Sequence, residues 1–214
     1  MSKFKKILVV AAHPDDELLG CGGSLAIFSK RKCSISSLFF TDGVSAREKK
    51  LSRKKVERKK NSLKALKIMG VNKSKFLSYP DNALDSVPLI KLVKEIEKVI
   101  KQFKPDTIFT HSNVDLNIDH EIVSRAVATA TRPKPNFCVK NILLFETLSS
   151  TEWNFNLKRK TFSPNYFINI TSTIERKIKA AKAYKNEINS WPHPRSVKGI
   201  KNLAKYRGQS VGVK

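Results

Sequence analysis

Apolar and polar positions alternate in blocks along this chain of 214 residues. An apolar run over 6–12, centred on Ile7-Leu8-Val9-Val10-Ala11, has the composition of a strand buried on both faces. Leu18 to Ser29 follow as a helix around a glycine-rich stretch. Ser34 to Phe40 form the next strand, and Thr41-Asp42-Gly43 turns the chain. A basic stretch leads into a helix ending at Met69-Gly70, where Gly70 suits the C-terminal cap. Phe76-Leu77-Ser78 predict a short strand before Pro80-Asp81-Asn82. Leu89, Leu92, Val93, Ile96, Val99, Ile100 and Phe103 keep helical spacing until Pro105 stops the helix. Thr107 to Thr110 make a further strand ending at His111, and Asp119 is expected to cap a helix carrying Ile122, Val123, Ala126 and Val127. Residues 139–147 and 165–170 predict later strands. Ser172 and Glu175 form a capping box for a helix with Ile174, Ile178, Ala181 and Ile188 on one face.

Strands alternating with helices predict an α/β fold, a mostly parallel sheet with helices on both faces. Neither a repeat nor a low-complexity linker divides the chain, so residues 1–214 are expected to form one domain. No segment reaches the ~20 apolar residues needed to span a bilayer. The basic start, Met1 to Lys6, is followed by a short apolar run but no small-residue cleavage site, so a cytoplasmic protein is expected. Cys21, Cys33 and Cys138 are odd in number and widely spaced, which favours reduced, buried thiols.

Charge adds a second theme. Lys and Arg total 42 against 18 Asp and Glu, a formal net charge of +24. Two readings compete: a cationic surface that attracts phosphorylated partners, and, the one preferred, lysine-rich drift on a tolerant surface. The run from Lys49 to Lys60 concentrates the charge upstream of a good helical pattern. It makes a nucleic-acid binder a rival reading. The low aromatic content, 8%, and the absence of zinc-finger spacing or an RNA-binding signature argue against that partner.

The chemistry concentrates in Ala12-His13-Pro14-Asp15-Asp16-Glu17, directly after the first strand. In a parallel sheet the C-terminal strand ends share one side, so His13, Asp15 and Asp16 can meet the segment from His111 to His120. Three buried polar groups need compensation, and a divalent cation provides it. Imidazole and carboxylate suit zinc, and His120 becomes the missing nitrogen ligand. Gly20-Cys21-Gly22-Gly23 fails as a dinucleotide-binding fingerprint, because Leu25 stands where Gly or Ala is needed.

These residues resemble the PIG-L/LmbE-like family of zinc-dependent N-acetyl-sugar deacetylases. The likeness also covers Thr41-Asp42-Gly43, Arg58 upstream of Ala65 to Gly70, Pro80-Asp81, Asp115 through His120, Glu146 through Trp153, and Pro192 through Ser196. The resemblance implies a Rossmann-like fold, with zinc (or another divalent transition metal) on His13, Asp16 and His120 and Asp15 as general base. Arg58 and Asp81 match family positions near the sugar, with a solvated charge on a basic helix the alternative for Arg58; Arg195 meets either an anionic group of the substrate or a partner in a surface salt bridge; Asp42 is expected to support the loop beside the metal, and Asp119 to back the ligands. Many relatives carry His-Pro-Asp-His where this chain has Asn117-Ile118-Asp119-His120. The oxyanion donor is then Asn117 or His193, with His193 or Asp15 returning the proton. Relatives often have Glu where Asn61 stands, and usually continue into another strand beyond Val211-Gly212-Val213-Lys214. The expected substrate is an N-acetylhexosamine unit, free or in a phosphorylated conjugate; a homo-oligomer is compatible. The remaining rival is a hydrolase that has lost activity and serves as a binding protein.

Overall fold

A computed structural model describes residues 4–46, 52–135, 139–155 and 161–214. Cys138 and the first residues of the basic run, Lys49 to Leu51, lie outside them. Five strands, β1 (Lys6–Ala11), β2 (Ser34–Phe39), β3 (Lys73–Phe76), β4 (Thr107–His111) and β5 (Asn141–Phe145), form one parallel sheet in the order β3-β2-β1-β4-β5. In the central register Val9 faces Ser37 on one side and Phe109 on the other. The helices are α1 (Asp16–Lys30), α2 (Ser52–Met69), α3 (Leu89–Phe103), α4 (Ile118–Ala130), α5 (Ile174–Ala181) and α6 (Val197–Gln209).

β1 is apolar at consecutive positions because both of its faces are covered. Ile7, Val9 and Ala11 enter a core shared with α1, α2 and α5, while Leu8, Val10 and Ala12 enter a second core built with α3 and α4. β3, at one edge, turns Lys73 and Lys75 outward, which discourages further strand pairing. From β1 the chain winds outward through β2 to β3, then returns across the centre to β4 and β5. The winding reverses between β1 and β4, and the crevice at such a switch point is where open α/β sheets bind ligands.

The glycine-rich stretch lies inside α1. A Cβ on Gly20 would come 2.2 Å from the Phe145 ring, and one on Gly23 would come 2.7 Å from the Ile170 side chain. These glycines bring the helix close to β5 and to the chain that follows it.

Three expectations fail here. Residues 165–170 form no strand: Ile170 packs on Gly23 and Tyr166 meets the Phe4 ring (6.3 Å), so apolar packing takes the place of ladder pairing. Ser172 does not open a helix. α5 starts one residue later, after Thr173, whose hydroxyl donates to the Gly23 carbonyl (2.9 Å), and it ends at Ala181, before Ile188. The short strand expected at 76–78 lies at Lys73–Phe76, in register with β2. Among the described residues no helix is long and apolar enough to cross a membrane.

A cavity of about 760 Å³ lies at the β5 edge, lined among others by Phe109, Leu143, Phe145, Ile168 and Lys177. Lys177 is buried and donates to the Leu19 carbonyl (2.7 Å). Burial pulls its ammonium down to about 8, against the opposing pull of Cys21 and Glu146. The unfolded chain therefore holds this proton at pH values where the folded chain has released it, so the contribution of Lys177 to stability rises with pH between about 8 and 10.5. At roughly 1.4 kcal/mol per pH unit this contribution grows by about 3–4 kcal/mol over the window. In urea unfolding across this range, the stability of the wild type relative to Lys177→Met should rise with pH; a constant difference would remove Lys177 as its source.

Candidate metal centre

His13 leaves the C-terminal end of β1 and Asp16 opens α1, while His120 comes from the first turn of α4, past the end of β4. The two segments meet at the switch point. His13 Nδ1 lies 3.1 Å from Asp16 Oδ2, and His120 Nε2 lies 3.3 Å from each of these atoms. A tetrahedral zinc ion with bonds of about 2.0–2.1 Å would separate its ligand atoms by about 3.3 Å. The triangle therefore has the dimensions of one face of such a site. Two imidazole nitrogens and one carboxylate oxygen suit zinc or a similar transition metal.

Each ring is aimed by a carboxylate on its far nitrogen, the arrangement that fixes tautomer and orientation in metal sites. His13 Nε2 faces Asp119 Oδ2 (3.2 Å) and Asp81 Oδ1 (3.3 Å). His120 Nδ1 faces Asp115 Oδ1 (3.1 Å). Asp119 is fixed in turn by the amides of Asn82 and Leu84 (both 2.9 Å). Asp81 accepts from Thr41 Oγ1 (3.1 Å) and the Ala46 amide (3.1 Å). Asp115 accepts from the hydroxyls of Ser150 and Thr151.

The electrostatics call for positive charge. Burial alone would lower the His13 imidazole, yet Asp16, Asp119 and Asp81 lift it to about 10. His120 is also raised against its burial, by Asp16 and Asp115. Burial would raise Asp16, but His120, His111 and His13 hold it well below the usual carboxylate range. Without a cation, protons must balance these carboxylates; a divalent ion would do so at the point where the three ligand atoms converge.

His111 belongs to this centre and carried no role in the sequence. Its ring stacks on His120 (centroids 3.9 Å apart, 14° between planes), and its Nε2 accepts from the Ala12 amide (3.0 Å). Burial and the neighbouring His120 hold it well below the ordinary histidine value, which matches a neutral ring accepting a hydrogen bond.

Asp15 stands beside the triangle. Its Oδ2 meets Arg58 Nη2 and Arg195 Nη1, both at 3.1 Å. Arg58 Nη1 also pairs with Glu187 Oε1 (2.5 Å). The backbone of Asp15 sits at φ 123°, a region that costs a non-glycine residue about 1–3 kcal/mol and clusters at functional sites.

Comparison with known proteins agrees with this geometry. The family model described as GlcNAc-PI de-N-acetylase, PIG-L, matches residues 8–131. The chain belongs to the PIG-L family. The match holds most of β1, all of β4 and the three residues of the triangle. The uncharacterized deacetylase YaiS of Escherichia coli is 31% identical over 154 residues, covering 70% of this chain and 77% of YaiS. A diacetylchitobiose deacetylase from Thermococcus kodakarensis is 26% identical, covering 86% of this chain and 70% of its own. Among solved structures, the conserved protein TT1542 from Thermus thermophilus superposes with a TM-score of 0.78 at 26% identity, covering 97% of this chain and 90% of its own.

The other residues singled out from the sequence have the following places. Arg58 and Arg195 contact Asp15. Asp81 and Asp119 back His13; Asp119 is not the helix cap expected of it, because Asn117 fills that place. Asn117 Oδ1 accepts from the Asp119 amide (2.9 Å), and its Nδ2 donates to Asn82 Oδ1 (2.8 Å). Asp42 accepts from the amides of Val44 and Ser45 (2.9 and 2.8 Å) and pairs with Lys55 (2.8 Å), which shapes the loop that reaches Asp81 through Ala46. His193 accepts from the Arg195 amide at Nδ1 (3.1 Å) and meets Trp153 edge-on (6.0 Å). Tyr184 and Glu187 were missed, and no local pattern marks them: they follow α5 and reach the site by packing alone. Glu17 and Asp115 were visible, inside motifs already quoted, but only burial assigns them contacts.

If the carboxylates aim the rings, Asp115→Asn and Asp119→Asn should each weaken zinc binding about 10- to 100-fold while the chain stays folded. Competition against a chromophoric chelator measures this. Unchanged affinity in both would show that the rings are held without them.

Proposed function

We propose that this PIG-L family member is a zinc-dependent N-deacetylase acting on an N-acetylhexosamine unit. The observation that carries the reading is the triangle of His13 Nδ1, Asp16 Oδ2 and His120 Nε2, 3.1–3.3 Å on a side, with Asp15 alongside. His13, Asp16 and His120 would hold the metal, which when bound acidifies water and polarises the amide carbonyl.

The remaining chemistry falls to the chain's own groups. Asp15 takes a proton as water adds to the acetamide carbon. Both guanidinium contacts fall on its Oδ2, which leaves Oδ1 for the proton. The C–N bond then breaks, giving acetate and a free amine that must leave protonated. Asp15 hands that nitrogen the proton it took from water, and His193 is the better placed of the two candidate oxyanion donors. Its Nδ1 accepts a hydrogen bond, so the neutral ring carries its proton on Nε2. The amide of Asn117 is already committed to the helix cap and to Asn82. Arg58 and Arg195 would orient Asp15 and the sugar together.

A second cavity, about 230 Å³, adjoins Arg58 and is lined by Lys54, Glu57, Asn61, Tyr184, Asn186 and Glu187. Amides and both signs of charge suit a hydroxyl-rich group. A phosphorylated conjugate would place its charge outside this cavity, toward the lysine-rich surface. We take the enzyme to be cytoplasmic, in keeping with free thiols at Cys21 and Cys33.

Acetate release should be screened over N-acetylglucosamine, N,N'-diacetylchitobiose and a nucleotide-diphosphate N-acetylhexosamine. Turnover should stop on chelation and return with zinc. Asp15→Asn should lower kcat about 100- to 10,000-fold with zinc content unchanged; full turnover in that variant would remove Asp15 from the reaction. If surface charge recruits substrate, kcat/KM for the phosphorylated compound should fall with salt and that for the neutral sugars should not.

A further inference from the structure

Two hydrogen bonds isolate Glu17 from the metal ligands beside it. Its Oε2 accepts from the Asp15 amide (2.9 Å), and its Oε1 accepts from the Tyr184 hydroxyl (2.8 Å). Glu17 is fully buried. An acidic residue in the first turn of a helix ordinarily faces solvent and complements the helix dipole. Here the side chain instead turns back over the residue that precedes the helix.

That residue needs fixing. Asp15 lies at φ 123° and ψ −25°, and its side chain makes no capping bond to α1. The peptide that follows Asp15 is set by the helix, since the Asp15 carbonyl accepts from the amides of Leu18 (3.0 Å) and Leu19 (2.9 Å). For the peptide that precedes it, the Asp15 amide finds its partner in Glu17. Arg58 and Arg195 reach the far end of the side chain and leave the backbone free to relax.

Glu17 is itself braced. Tyr184 is buried beneath the Arg58 guanidinium, which lies 5.3 Å from its ring centroid. The Tyr184 carbonyl accepts from the Glu187 amide (2.9 Å), and Glu187 pairs with Arg58. The contacts close a circuit: Asp15, Glu17, Tyr184, Glu187, Arg58 and back to Asp15.

We infer that Glu17, anchored by Tyr184, is the positioning residue for Asp15: it locks the unfavourable backbone conformation that presents the Asp15 carboxylate to the reacting water. This rests on the reading of Asp15 as the base. A misplacement of about 1 Å at such a group typically costs on the order of 100-fold in rate.

The test uses the full chain, zinc-loaded, with whichever N-acetyl sugar of the screen is turned over fastest. Glu17→Met keeps the volume and removes the acceptor; kcat should fall at least 10-fold with KM and zinc stoichiometry unchanged. Glu17→Gln still offers an oxygen to the Asp15 amide and should recover most of the rate. In an Asp15→Asn background, Glu17→Met should cost nothing further, because a positioning residue acts only through the group it positions. Tyr184→Phe, which leaves the core filled should Glu17→Met not fold, should lower kcat about 3- to 10-fold and likewise have no effect beside Asp15→Asn. The inference is overturned by wild-type kcat in Glu17→Met or Tyr184→Phe, by failure of Glu17→Gln to recover, or by equal losses in both backgrounds. Full activity of Asp15→Asn by itself would instead overturn the assignment of the base.

Discussion

The structure turns on the convergence of three lone pairs. His13 Nδ1, Asp16 Oδ2 and His120 Nε2 approach within 3.3 Å of one another in a site almost closed to solvent. Lone pairs at that distance repel unless something positive lies among them, and burial removes the water that would otherwise screen them. Protons can serve, which is why His13 and His120 are driven above the ordinary histidine value. A divalent ion serves better, because one charge centre satisfies all three atoms at once. The switch point of the sheet is the place where such a cluster can be assembled, since the segments after β1 and β4 arrive there side by side.

The cost of assembling these charges is distributed outward through hydrogen bonds. Asp81 and Asp119 behind His13, and Asp115 behind His120, each accept further donors from loops. The loop after β2 is tied in through Thr41 and Ala46, the loop after β3 through Asn82 and Leu84, and the loop after β5 through Ser150 and Thr151. Loops at the C-terminal edge are therefore fastened to the imidazoles, and the site orders the surface around it as much as the scaffold orders the site.

Much of this was legible along the chain, for reasons that can be named. β1 and α3 are set by local periodicity that agrees with their burial, and the expected bounds of α3 match those observed. The meeting of His13, Asp16 and His120 was legible because strand ends in a parallel sheet share one side. What failed involved competition between local and tertiary partners. Asp119 looked like a cap, but two backbone amides and His13 claim its carboxylate, so Asn117 caps instead. Ser172 looked like a cap, but the helix begins after Thr173, whose hydroxyl binds a carbonyl of α1. The apolar run at 165–170 looked like a strand, but glycine-made contact with α1 gives it a packing surface without a ladder. Tyr184 and Glu187 carry no local pattern, and only the folding of the chain after α5 against Arg58 reveals them.

The net charge of +24 reads differently once burial is known. Every buried acid among the described residues, namely Asp15, Asp16, Glu17, Asp81, Asp115, Asp119 and Glu187, lies at this one site. Of the 18 acidic residues in the chain, these seven are withdrawn from the surface, which is therefore more cationic than composition suggests. The interior of the site has the opposite character: it is acidic. Surface charge acts over about 8–10 Å at physiological ionic strength before salt screens it. The lysines therefore cannot set the chemistry at a centre whose field is made by its own carboxylates and guanidinium groups. The surface charge and the charges of the site are thus separate sets, so a change in one need not appear in the field of the other.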